Sequence, residues 1–138
     1  MKFYASNSTK SINIDIAKYR IDWDRVVSKP QKAVKDFLYS YWKGKIILEE
    51  FRMPGSRFRF DLFNVTDHII VEVSPKKVHG EFNKFFHRTR LGYAKSLKRD
   101  MSKYDWAEKN GFILVEVFDE DINNLSREWF REKYEVEL

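Results

Sequence analysis

Two short apolar runs, Phe58-Arg59-Phe60-Asp61-Leu62-Phe63 and His68-Ile69-Ile70-Val71-Glu72-Val73-Ser74, flank the polar tetrapeptide Asn64-Val65-Thr66-Asp67. Runs of this length, rich in aromatic and β-branched residues, read as strands, and the Asx chemistry between them reads as a turn. The pair therefore predicts an antiparallel hairpin that aligns Asp61 with Ile70 and Arg59 with Glu72. Side chains alternate along a strand, so both carboxylates leave the same face. As diagonal neighbours they lie roughly 7–8 Å apart at the backbone, close enough to converge on one divalent cation. A one-residue slip would separate them.

An acid inside so apolar a run must find a partner, because a carboxylate stripped of water is costly. A metal ion is one partner; an ion pair with Arg57 or Arg59 is the other, and spacing alone leaves both open.

The 138 residues, 43% hydrophobic and 17% aromatic, suffice for one well-buried core and are too few for two, which predicts a single domain over 1–138. No apolar stretch approaches the roughly 20 residues of a membrane span, and Met1-Lys2-Phe3-Tyr4 does not open a signal peptide, so the expectation is a soluble, cytoplasmic protein that contacts no membrane. With no cysteine, a metal must be held by oxygen or imidazole; carboxylate ligands favour magnesium or manganese.

The net charge of +5 is unevenly spread. Lys76, Lys77, Lys84, Arg88, Arg90, Lys95, Lys98, Arg99 and Lys103 stand against only Glu81 and Asp100, a phosphate-binding composition that directly follows the acid pair. After Glu116 the acids dominate. A basic run is also what a solvated helix face looks like.

Along the chain, residues 1–27 form an arm of weak periodicity without an evident role; alternation of Ile12, Ile14 and Ile16 fits a short strand. Ser28-Lys29-Pro30-Gln31 starts a helix, with Ser28 as N-cap and Gln31 at the capping-box position. Ala33, Val34, Phe37, Leu38, Tyr41 and Trp42 mark its buried face, and Lys43-Gly44-Lys45 ends it. Ile46 to Phe51 is a strand, Met53-Pro54-Gly55-Ser56 a turn, and the hairpin follows. Pro75 ends the second hairpin strand. A long helix is expected from about Thr89 to Asn110, with Leu91, Ala94, Leu97, Met101 and Tyr104 buried and Lys95, Arg99 and Lys103 forming a basic stripe. Gly111 stops it, Phe112 to Val117 is a buried strand, and Asn123 or Asn124 caps a last helix carrying Leu125, Trp129 and Phe130. This order predicts an α/β (α+β) fold: a mixed central sheet flanked by helices.

Helix, antiparallel strands with an acid on one and Glu-Val on the next, then a basic helix and a further strand: this succession resembles the restriction-endonuclease-like core of the PD-(D/E)xK nuclease superfamily. Within it the chain is most similar to phage and intron-type homing endonucleases and to very-short-patch-repair endonucleases. The similarity is carried by Lys29-Pro30-Gln31-Lys32, Arg59-Phe60-Asp61-Leu62, Val71-Glu72-Val73, His79-Gly80-Glu81-Phe82-Asn83-Lys84-Phe85-Phe86-His87, Lys98-Arg99-Asp100 and Asp105-Trp106-Ala107-Glu108-Lys109-Asn110-Gly111-Phe112. It covers residues 28–122, the nuclease-like core, with 123–138 left as a C-terminal helix.

The resemblance implies a metal-dependent DNA endonuclease of the kind phages encode in a bacterial host, using Mg2+ or Mn2+. Asp61 and Glu72 would be ligands, with the Val73 carbonyl a third. The family's lysine two positions after the second acid is Ser74 here, which leaves Lys76, His79 and Lys98 as competing catalytic candidates. Gln31 occupies the place of a first-helix glutamate or glutamine. Arg57, Arg59, Lys77, Arg88, Arg90, Lys95 and Arg99 are candidate contacts to double-stranded DNA. A double-strand break would need a homodimer or larger assembly, with Trp129 and Phe130 as interface candidates. The broken lysine motif motivates an alternative, a catalytically inactive nucleic-acid-binding module; a structural protein with an acidic partner leaves the acid pair unexplained.

Overall fold

The structure is a computed structural model that describes residues 1–6, 8–74 and 101–138. Ser28 begins helix α1, Lys29–Trp42: its Oγ accepts the Gln31 N–H at 3.2 Å, satisfying one of the free donors of the first turn, and Pro30 fits where no donor is needed. Val34, Leu38 and Trp42 recur at helical spacing and are completely buried against the sheet. The helix stops at Trp42, and Gly44 supplies a left-handed φ of 83° for the turn that follows.

Before α1, two short strands pair as an antiparallel ribbon, β1 (Lys2–Tyr4) and β2 (Ser11–Asn13). After it come β3 (Ile47–Arg52), β4 (Arg59–Asn64) and β5 (Ile69–Ser74), then helical residues 101–109, here α2, then β6 (Ile113–Phe118) and α3 (Arg127–Tyr134). The sheet order is β3-β4-β5-β6, with β3, β4 and β5 antiparallel and β6 parallel to β5 over all six residues from Ile69↔Ile113 to Ser74↔Phe118. The mixed, helix-flanked sheet expected from the sequence is present.

Each face of the sheet carries its own core. One, built from α1, β5, β6 and α3, contains Val34, Leu38, Trp42, Val71, Val115 and Phe130. The other is largely aromatic: Phe3, Phe51, Phe60, Phe63, Trp106 and Phe112, with ring centroids as close as 4.6 Å between Phe63 and Phe112. Burying Phe3 there anchors the N-terminal ribbon, and Trp106 Nε1 donates to the Tyr4 carbonyl at 2.8 Å.

Several expectations are corrected. On α2, Met101 and Tyr104 are exposed, and Trp106 and Ala107 carry the buried face. The Trp106 ring fills the aromatic core in place of Met101 and Tyr104; Leu91, Ala94 and Leu97 lie outside the described residues. The last helix is capped by Ser126, whose Oγ accepts the Trp129 N–H, because Asp119–Asn124 forms a separate 3-10 helix. Trp129 and Phe130 belong to the interior, Phe130 with no exposure, and are not surface available to a second copy. Of the α1 face, Ala33 is exposed, while Lys35 is fully buried: its ammonium reaches Glu49 at 2.9 Å and the carbonyls of Asp22 and Arg25 at 2.7 and 2.8 Å.

That buried pair makes a test of the fold. Lys35→Met leaves Glu49 buried without its cationic partner and is expected to cost about 3–5 kcal/mol in urea unfolding, with Lys35→Met/Glu49→Leu recovering much of the loss. A cheap single substitution would contradict the burial. Glu135 ends α3 at φ 56°, so Glu135→Gly should gain about 1 kcal/mol by the same measurement.

Candidate functional site

Regular strands place residues three apart on opposite faces, yet Leu48 and Phe51 both enter the aromatic core, as do Phe60 and Phe63 on the neighbouring strand. The irregularity lies at Glu50 and Asp61, which oppose each other between the pairs Glu49↔Leu62 and Phe51↔Phe60 without pairing themselves. Glu50 has a left-handed φ of 54° in mid-strand, a conformation that costs of order 1–3 kcal/mol for a side chain of this kind.

On the other side, β4 and β5 pair at Asn64↔Ile69, Phe63↔Ile70 and Leu62↔Val71, and the ladder stops there. In this register Asp61 faces Glu72 directly, not Ile70, and Ile70 pairs with Phe63. The hairpin loop is 65–68: Asn64 Oδ1 accepts the Asp67 N–H at 2.8 Å, and His68 adopts φ 60° with its ring stacked on Phe112. The offset from the expected pairing is two residues, which preserves the face each side chain takes. Where the ladder ends, Asp61 Oδ2 accepts the Val73 N–H at 2.8 Å, so a side chain replaces the missing backbone partner and holds the two acids together.

Glu72 is only 7% exposed. Its carboxyl is held well above the usual glutamate range, first by burial, then by the negative charge of Asp61 and hydrogen bonding with it; the Lys103 ammonium pulls the other way. Lys103 Nζ lies 2.9 Å from Glu72 Oε1 and 5.7 Å from the centre of the Phe60 ring. The sequence places Lys103 on a solvated basic stripe; the rotation of α2 that buries Trp106 turns it inward. The ion pair with Arg57 or Arg59 is not made among the described residues: both arginines are exposed, and the cation beside the pair is Lys103.

Behind Asp61 lies a second polar layer. Gln31 is buried; its side chain does not close the capping box but donates from Nε2 to Glu49 Oε2 at 3.0 Å. Glu50 is pushed upward by burial and by Asp61, while Gln31 and Arg59 oppose the shift. Sequence reasoning missed Lys103 as a site residue, and Glu49, Glu50 and Lys35 altogether. The signal was there for the acids: Glu49-Glu50 interrupts an apolar strand as Asp61 and Glu72 do.

Lys76, Lys77, His79, Arg88, Arg90, Lys95, Lys98 and Arg99 lie outside the described residues. Among the described residues no three His, Asp or Glu side chains converge to hold a metal. The pair still suits a hard cation, since magnesium commonly takes one or two carboxylates and completes its shell with water and substrate phosphate. The chain matches no protein-family model, no curated protein and no solved structure.

Because the folded chain holds the Glu72 proton more tightly than the unfolded chain, the contribution of Glu72 to stability is fully present below the ordinary glutamate value of 4.5 and is lost as pH rises through the raised folded value. In metal-free buffer, Glu72→Gln should flatten this part of the pH dependence of Tm. An unchanged slope would show that Glu72 titrates normally.

Proposed function

We propose that the chain is a divalent-metal-dependent DNA endonuclease of homing type, built on a restriction-endonuclease-like core. The observation that carries this reading is the convergence of Asp61 and Glu72 at the splayed end of β4 and β5 with Lys103 2.9 Å from Glu72. The order of α1, three antiparallel strands, α2 and a parallel β6 supports it.

Asp61 and Glu72 would hold Mg2+ or Mn2+, which supplies activation of a water and neutralisation of charge on the scissile phosphate. The Glu72 carboxyl, raised first by burial and then by the Asp61 charge, must release its proton for a cation to load, so occupancy grows with pH. The Asp61 bond to the Val73 N–H fixes one carboxylate before substrate arrives. Lys103 takes the role vacated at Ser74. It approaches from α2 instead of β5, and its ammonium can donate to a non-bridging phosphate oxygen or orient the attacking water. Gln31 braces Glu49 and moderates Glu50 behind the pair. Arg57 and Arg59, exposed and just before Asp61 in the chain, would meet DNA phosphates.

Supercoiled plasmid incubated with Mg2+ or Mn2+ tests the proposal. The wild type should nick or linearise it, and Asp61→Ala and Lys103→Met should each lower the rate by about 10²-fold or more. A wild type that binds DNA but cleaves no faster than Asp61→Ala would favour a binding module without turnover.

A further inference from the structure

The sequence leaves the N-terminal arm without a role, but the structure gives it one wall of a groove. Between the arm and the β3–β4 turn lies an open cleft of about 390 Å³, with Ile12, Ile14 and Tyr19 on the arm side and Arg52, Arg57 and Lys18 around it. Its volume falls within the roughly 300–1,000 Å³ of pockets that hold small ligands.

The charge in this cleft is of one sign. Lys18, Arg52 and Arg57 are its charged lining residues, and none of them forms an ion pair among the described residues. Cations that gather without partners repel one another, and an anion would relieve that. The walls are also fixed in place. Ser6 donates from its N–H to the Pro54 carbonyl at 2.9 Å and from Oγ to the Gly55 carbonyl at 3.1 Å, which ties the arm to the turn. Tyr19 packs edge-on against Phe51 at 5.0 Å, and Arg52 Nε is held by the Ser56 carbonyl at 2.9 Å. These contacts fix the backbone of both walls and one of the three cations, while Lys18 and Arg57 stay exposed and able to adjust to a ligand.

The cleft also lies at the same end of the sheet as the acids. Arg52 pairs with Arg59, and Asp61 is two residues further along β4, roughly 7 Å at about 3.3 Å per residue. We infer that this cleft is a second nucleic-acid contact: it grips the phosphodiester backbone of the DNA strand leaving the acid pair, with phosphates against Lys18, Arg52 and Arg57 and sugar or base against the apolar arm residues. The inference rests on the endonuclease reading and gives residues 1–27 their part in it.

Fluorescence anisotropy of a labelled 20-base-pair duplex in metal-free buffer, over a salt series, tests this. Lys18→Ala/Arg57→Ala should weaken binding about tenfold and make the salt dependence shallower by about one unit of log–log slope per cation removed. Lys18→Arg/Arg57→Lys should bind as the wild type does, and Lys133→Ala, on α3, should change affinity little. Wild-type affinity in the double alanine variant, or an equal loss in Lys133→Ala, would overturn the groove while leaving the endonuclease reading intact. A wild type that binds no duplex would end both.

Discussion

The Asp61 carboxylate accepting the Val73 N–H sets the rest of the site. A β-ladder between β4 and β5 would ordinarily continue past Leu62↔Val71 and carry Asp61 and Glu72 along as one more cross-strand pair. Two carboxylates facing each other in a closed ladder would repel and splay apart. Here the backbone opens, one acid satisfies the freed donor, and the other remains buried beside it with the Lys103 ammonium from α2 at 2.9 Å. The same opening permits Glu50, opposite Asp61 on β3, to take its left-handed backbone and lets both strands switch which residues face the aromatic core.

The arrangement is costly in the free protein, which argues for a purpose beyond folding. A strained glutamate, a carboxyl pushed above its normal range and a lysine withdrawn from solvent each lower stability compared with apolar residues of similar size. The two cores show that the chain can fill such positions with aromatic and branched side chains when packing alone decides. Concentrating the exceptions at the splayed end of two adjacent strands is the pattern of a site where stability is given up for chemistry.

What could be read from the sequence divides along physical lines. The start of α1 is written in local chemistry, Ser28 and Pro30, and stands. The shared face of Asp61 and Glu72 was legible because strand parity survives a two-residue error in register; the register itself was not, because it depends on His68 taking φ 60° and stacking on Phe112, a contact distant in sequence. The buried face of α2 was misread at Met101 and Tyr104 because the aromatic core selects Trp106, and that rotation is what brings Lys103 to Glu72. Ser126 displaced Asn123 and Asn124 as a cap because the 3-10 turn between Asp119 and Asn124 uses those residues first. Glu49 and Glu50 were passed over although they break an apolar strand in the way that made Asp61 conspicuous.

The central claim is that Asp61 and Glu72 jointly hold one hard divalent cation. Electron paramagnetic resonance of free Mn2+ during titration with the protein measures this without substrate or turnover. The account predicts loss of the free-ion signal in a one-to-one ratio with wild-type chain, weaker binding at acidic pH, and strongly reduced binding in both Asp61→Asn and Glu72→Gln. Mn2+ that stays free in the presence of the wild type, or that binds both variants as tightly, would contradict it.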